Sequence, residues 1–137
     1  MKSKQILSVE QMKHLQELGL DTSDGSMCWC YALSYKNAKW ELEIYEDVIN
    51  QKRDSAFWEI IPTYTLQDIL DKLPTLIIIS SDFYKICIEP SCGYWDIYYY
   101  KSDATELISK KSENIIDAAY DMLCWCIENG YVKVENE

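Results

Sequence analysis

The sequence predicts an α+β fold, an antiparallel sheet of about four to six strands with three helices packed on one face as a two-layer sandwich. Three observations carry that expectation. Three segments combine a capping residue with apolar side chains recurring at every third or fourth position. Between them lie short runs rich in Tyr, Trp and Ile that alternate in polarity and are joined by turn residues. No repeat, low-complexity stretch or linker divides the 137 residues, a length usual for one domain, so residues 1–137 read as a single domain.

The first helix opens at Ser8, where Gln11 completes a capping box, and Val9, Met12, Leu15 and Leu18 line one face up to Gly19. Asp21 to Ser26 is turn chemistry. Met27 to Tyr35 reads as a strand, and Asn37 marks the turn into Trp40–Tyr45. There the alternation places Trp40, Leu42 and Ile44 on a dry face and Glu41 and Glu43 on the other. Glu46 to Asp54 is charged, a loop or a short helix, and Phe57 to Ile61 is a strand that Pro62 stops.

Thr65 and Asp68 cap the second helix, whose stripe is Leu66, Ile69, Leu70 and Leu73 and whose end is Pro74. Leu76–Ile79 and Phe83–Glu89 are strands around Ser80-Ser81-Asp82. Pro90-Ser91-Cys92-Gly93 then turns the chain into the strand Tyr94–Tyr100. The last helix runs from a Ser112 cap to Asn129, with Gly130 as its stop. Ile115, Ala119, Met122 and Cys126 form one ridge with Ile116, Leu123 and Ile127 beside it, while Glu113, Asp117, Asp121 and Glu128 point outward.

Composition narrows the function. With 48% hydrophobic and 26% charged residues the chain is globular rather than disordered. Thirteen basic residues, only one of them an arginine (Arg53), face 23 acidic ones for a net charge of −10. That balance argues against direct nucleic-acid binding, where affinity comes from neutralising phosphates, and against adsorption to anionic membranes. The N-terminal Met1-Lys2-Ser3-Lys4 is basic but no apolar signal region follows it, and the longest aliphatic run is Leu76–Ile79. A cytoplasmic location without a membrane span is expected.

Six cysteines fall as Cys28-Trp29-Cys30, Cys87, Cys92 and Cys124-Trp125-Cys126. Structural zinc pairs usually stand two to four residues apart, whereas these pairs are C-x-C. Two such thiols share a face on a strand but diverge by about 200° on a helix. Buried, reduced thiols are therefore expected, with no metal and no cofactor. His14, the only histidine, lies off the apolar stripe of its helix and reads as a surface residue; a hydrolytic triad would have to use it as the base, which argues against one. Four glycines and no phosphate-loop motif argue against a phosphate cradle. Glu41 and Glu43 sit about 7 Å apart by strand rise, a spacing that a solvated strand face explains without sugar chemistry. No catalytic residues emerge, and the protein is expected not to be an enzyme.

The aromatic content is the compositional oddity. Eleven tyrosines, five tryptophans and two phenylalanines concentrate in the strands. Tyr94-Trp95-Asp96-Ile97-Tyr98-Tyr99-Tyr100 supplies both faces of one strand, with Trp95 and Tyr99 on one side and Tyr94, Tyr98 and Tyr100 on the other. Only one side can be core. Tyr94, Tyr98 and Tyr100, with Glu41 and Glu43, are accordingly the candidate binding residues. Glu41, Glu43, Glu46 and Asp47 also admit an acidic mimic of DNA that inhibits a DNA-binding or defence protein of the host. An aromatic pocket for a small ligand and a homo-oligomer joined at the aromatic face are further alternatives.

The segment Ile60-Ile61-Pro62-Thr63-Tyr64-Thr65-Leu66-Gln67-Asp68-Ile69-Leu70-Asp71-Lys72-Leu73-Pro74 resembles a recurrent stretch in small uncharacterised proteins of phages, prophages and mobile elements in Bacteroides-type bacteria. The ending Asn114-Ile115-Ile116-Asp117-Ala118-Ala119-Tyr120-Asp121-Met122-Leu123-Cys124-Trp125-Cys126-Ile127-Glu128-Asn129-Gly130 is similar to theirs, as is the opening Leu7-Ser8-Val9-Glu10-Gln11-Met12 followed by Leu18-Gly19-Leu20. The matched residues are caps and core ridges. The resemblance implies a setting and no assigned activity or catalytic residue: an accessory protein that binds another protein, of the host or of the phage.

Overall fold

The computed structural model describes residues 4–134, so the start of the chain at residues 1–3 lies outside the described residues. The elements run α1 (Val9–Glu17), β1 (Met27–Ala32), β2 (Glu41–Ile44), α2 (Tyr45–Gln51), β3 (Trp58–Thr63), α3 (Leu66–Lys72), β4 (Leu76–Ile79), β5 (Asp82–Ser91), β6 (Tyr94–Tyr100), β7 (Glu106–Ser112) and α4 (Ile115–Glu128). The fold is α+β as expected, but its strands form two antiparallel sheets rather than one, in the orders β2-β1-β3 and β4-β5-β6-β7. Among the described residues four helices, not three, accompany them.

Local chemistry explains most boundaries. Both capping boxes form: Ser8 with Gln11 on α1, and Thr65 with Asp68 on α3. Gly19 sits at φ +97°, and its N–H donates to the Gln16 carbonyl at 2.9 Å to close α1. Asp68 does more than cap, because its two oxygens also accept from the Ser26 hydroxyl at 2.6 Å and the Ser26 N–H at 3.2 Å. Gly25, in the same loop, lies so close to β3 that a Cβ there would stand 2.7 Å from the Thr63 carbonyl oxygen.

Several boundaries differ from the sequence expectation. Pro62 does not stop β3 but lies within it, opposite Cys28, because β3 is an edge strand where a missing N–H is tolerated. Pro90 and Ser91 belong to β5, and the hairpin turn is Cys92-Gly93 alone, with φ of 46° and 88°. Strand β7 was not expected. Its Leu107 and Ile108 are the only large apolar residues in Glu-Leu-Ile-Ser-Lys-Lys-Ser, and a bulge at Tyr99/Tyr100 breaks the alternation of its pairing. Such a lysine-bearing edge strand pairs through its backbone and advertises little. The cap of α4 is Asn114 rather than Ser112, whose hydroxyl accepts from the Asn114 N–H at 3.3 Å.

One core joins both sheets. It draws Leu7, Met12 and Leu15 from the α1 region, Ile61 and Tyr64 around β3, Ile69 from α3, Ile77, Ile97 and Tyr99 from the larger sheet, and most of the inner ridge of α4. The Tyr99 hydroxyl donates to the Pro74 carbonyl at 2.6 Å, and Trp29 Nε1 and Thr63 Oγ1 both donate to the Leu7 carbonyl at 2.9 Å. Asp117 is turned inward rather than out: Lys4 Nζ at 2.8 Å and Gln11 Nε2 at 2.9 Å both donate to its Oδ1. Burial opposes its ionisation, but these donors outweigh burial and hold the carboxyl below its usual range.

A smaller cluster of Cys28, Cys30 and Val48 lies under α2, with Tyr45, Trp58 and Ile60 packed around it. The expected dry face holds at Trp40, half-buried against the main core, but not along β2, where Leu42 and Ile44 are exposed while Glu43 is half-buried. Helix α1 packs on β3 and leaves the Leu42 side of edge strand β2 uncovered, whereas α2 packs on β2 and β1 and shelters the Glu43 side.

Candidate functional site

The pairing register assigns each residue of the larger sheet to a face. Ile78 opposes Phe83, Leu76 opposes Lys85 and then Tyr100, and Cys87 opposes Tyr98 and then Ser109. These residues share one face, with Tyr94 at the end of β6. Ile77, Ile97 and Tyr99 take the other face and enter the core under α4. The three candidate tyrosines thus lie together on the face turned away from the core.

They are joined by apolar neighbours that were not among the expected site residues. Leu76, Ile78 and Phe83 are 39%, 58% and 55% exposed, and Tyr94 is 50% exposed. The signal for Phe83 was in its alternation with Tyr84. Leu76 and Ile78 were hidden in a continuous aliphatic run that reads as buried on both sides. The rings of Tyr98 and Tyr100 lie 5.6 Å apart at 51°, and the Tyr98 hydroxyl donates to Glu89 Oε1 at 3.0 Å. Hydrogen bonding to Cys87, and then to Glu89, holds the Tyr98 phenol above its usual value, so it stays a neutral donor. Asp96 on this face is buried and accepts from the Ser109 hydroxyl at 2.6 Å. Lys85, Glu89 and Lys111 place both signs of charge around the aromatic centre.

Glu41 and Glu43 belong to the other sheet and are not brought onto this face. Glu41 is exposed. Glu43 is occupied: its two oxygens accept from Arg53 Nη1 and Nη2, each at 2.7 Å. Arg53 Nε also donates to Gln51 at 2.8 Å, and the guanidinium lies 4.4 Å from the centre of the Trp58 ring. Arg53 holds the Glu43 carboxyl below its usual range, chiefly through these hydrogen bonds. The single arginine is therefore a brace between β2, the end of α2 and β3.

Beside this brace lies a cleft of about 490 Å³ lined by Cys30, Tyr35, Lys36, Lys39, Glu41 and Trp58. A second cleft of about 480 Å³ runs between the starts of α3 and α4, with Thr65, Leu70, Trp95 and Ile115 on its walls. Among the described residues all six cysteines are free thiols, and no group of three or more His, Cys, Asp and Glu side chains is arranged to hold a metal ion. His14 is exposed, 3.8 Å from Glu17 and with its ring 6.4 Å from that of Tyr120. No described helix is long and apolar enough to cross a membrane. No protein-family model matches the chain, and neither a curated protein nor a solved structure matches it.

Proposed function

We propose that this chain is a non-enzymatic accessory protein that binds another polypeptide through the uncovered face of the β4-β5-β6-β7 sheet. Its setting, on this reading, is phage or mobile-element activity in a bacterial cytoplasm, as the sequence resemblance implies. The observation that carries the reading is the strip Leu76, Ile78, Phe83, Tyr100, Tyr98 and Tyr94, where exposed aliphatic groups adjoin tyrosines on a face that none of the described helices covers. Water gains freedom when such groups are covered, and tyrosine hydroxyls keep a polar handle for register at the rim. The partner surface that fits is apolar and carries hydrogen-bond acceptors. An acidic mimic draws less support, because Arg53 neutralises Glu43, one of its four carboxylates.

The test is affinity capture from lysate of a phage-infected host, quantified by mass spectrometry. Tyr98→Ala with Tyr100→Ala, and Phe83→Ser, should each remove at least nine tenths of a partner captured by the wild type. Leu42→Ser, an exposed site on the other sheet, should leave that partner in place. A partner lost equally in Leu42→Ser, retained in the sheet-face variants, or absent from the wild type would refute the assignment.

A further inference from the structure

Strands β2, β3, β4 and β7 stand at the edges of the two sheets, and three of them carry a device against pairing with another chain. Strand β2 bears Glu41 and Glu43, β3 bears Glu59 and Pro62, and β7 bears Glu106, Lys110 and Lys111. The remaining edge, β4, is Leu76-Ile77-Ile78-Ile79, with neither a charge nor a proline. Its register shows what the open side presents. Ile79 pairs with Asp82 across a two-residue turn, Ile77 pairs with Tyr84, and the Ile86 N–H donates to the Thr75 carbonyl at 3.3 Å. Thr75, Ile77 and Ile79 therefore direct their backbone groups toward β5. By the alternation of an antiparallel ladder, Leu76 and Ile78 direct theirs away from it. Among the described residues no strand pairs with that side, and the side chains of the same two residues are exposed.

We propose that β4 pairs with β4 of a second copy of this chain about a two-fold axis at Ile77. Two-fold symmetry sets an edge strand antiparallel to its own copy, so the contact is isologous. With the axis at Ile77, Leu76 of each copy faces Ile78 of the other, and each such pair exchanges two backbone hydrogen bonds. Every residue that meets across this seam is aliphatic, whereas the same operation on β2 would gather Glu41 and Glu43 of both copies, and like charges across strands repel. The joined sheet runs β7-β6-β5-β4 and on into its mate in reverse. Both of its outer edges are then lysine-bearing β7, so association stops at two. Phe83 stands beside Ile78 on the uncovered face, so Leu76, Ile78 and Phe83 of the two copies come together at the seam. This pairing goes beyond the partner-binding reading and does not rest on it, since it uses the edge of the sheet and leaves the face open.

Sedimentation equilibrium of the full chain between about 10 μM and about 1 mM tests the pairing, the range suited to a contact smaller than a standard interface. The mean mass should rise from that of one chain toward that of two and no further. Each copy carries a net charge of −10, so added salt should raise the dimer fraction. Ile78→Pro removes an outward N–H that the ladder to β5 does not use, and should lower the association constant at least tenfold. Leu42→Ser, on edge strand β2, should leave it within twofold. The wild type offers a second readout that needs no substitution. Its Leu76 and Ile78 amides should exchange at least fivefold more slowly at the highest concentration than at the lowest, with the Ile77 amide, already bonded to β5, as the reference. The mass of one chain throughout, growth beyond two chains, a dimer weakened by salt, one that survives Ile78→Pro or is lost equally in Leu42→Ser, or a dimer whose Leu76 and Ile78 amides stay unprotected would overturn the proposal.

Discussion

Removing the guanidinium of Arg53 should destabilise the protein by about 2 kcal/mol. The structure supplies the parts of that figure. Two charge-assisted hydrogen bonds to Glu43 and one to Gln51 would be lost, from a side chain only 15% exposed against a carboxylate 31% exposed. After discounting for solvent screening, the ion pair contributes about 1 to 1.5 kcal/mol, between the values usual for exposed and buried pairs. Stacking on Trp58 at 4.4 Å adds about 0.5 to 1 kcal/mol. At about 2.1 cal/mol/K per residue, 137 residues unfold with an entropy near 290 cal/mol/K, so Arg53→Ala should lower Tm by about 7 °C. Arg53→Lys retains charge but not the fork, and should lose about half as much.

The same pair has a pH signature. The folded Glu43 carboxyl is depressed, so its contribution is fully present above the unfolded carboxylate value and is lost as pH falls through the folded one. Chemical denaturation from pH 7 down to pH 3 should therefore show the gap between wild type and Arg53→Ala closing on the acid side. A Tm within 1 °C of wild type for Arg53→Ala, or a gap that widens on acidification, would refute the brace.

Two further substitutions probe the core and the loop that flanks β3. Tyr99→Phe removes a 2.6 Å hydrogen bond and strands the Pro74 carbonyl beside a fully buried ring, so denaturant titration should find a loss of about 1 to 2 kcal/mol. Gly25→Ala places a methyl 2.7 Å from the Thr63 carbonyl oxygen, which backbone cannot yield cheaply, and should cost about 1 to 3 kcal/mol by the same measurement.

The local elements were largely legible because their causes are local. Ser8 with Gln11 and Thr65 with Asp68 sit within one helical turn of each other, so the caps are written in adjacent residues. The two faces of Tyr94–Tyr100 follow from the period of two, and the tyrosine face did separate from Trp95 and Tyr99. Strand β7 was missed because backbone pairing to β6, rather than side-chain pattern, makes it a strand.

Which face of an element is covered is a different kind of question. Along Glu41–Ile44 the alternation was correct, yet the side expected to be dry is the exposed one, because α2 rather than α1 covers β2. The inward turn of Asp117 toward Lys4 was equally invisible, since the two residues stand 113 apart in the chain, and the pairing of Arg53 with Glu43, only 10 apart, was hidden because it depends on how α2 turns the chain back onto β2. The two Cys-Trp-Cys copies state the division most plainly. Spacing dictates that the thiols converge on a strand and diverge on a helix. Tertiary packing placed the strand copy under α2 at the wall of a cleft and the helical copy in the core, because the free energy that chooses a buried face comes from surfaces brought together across the whole chain.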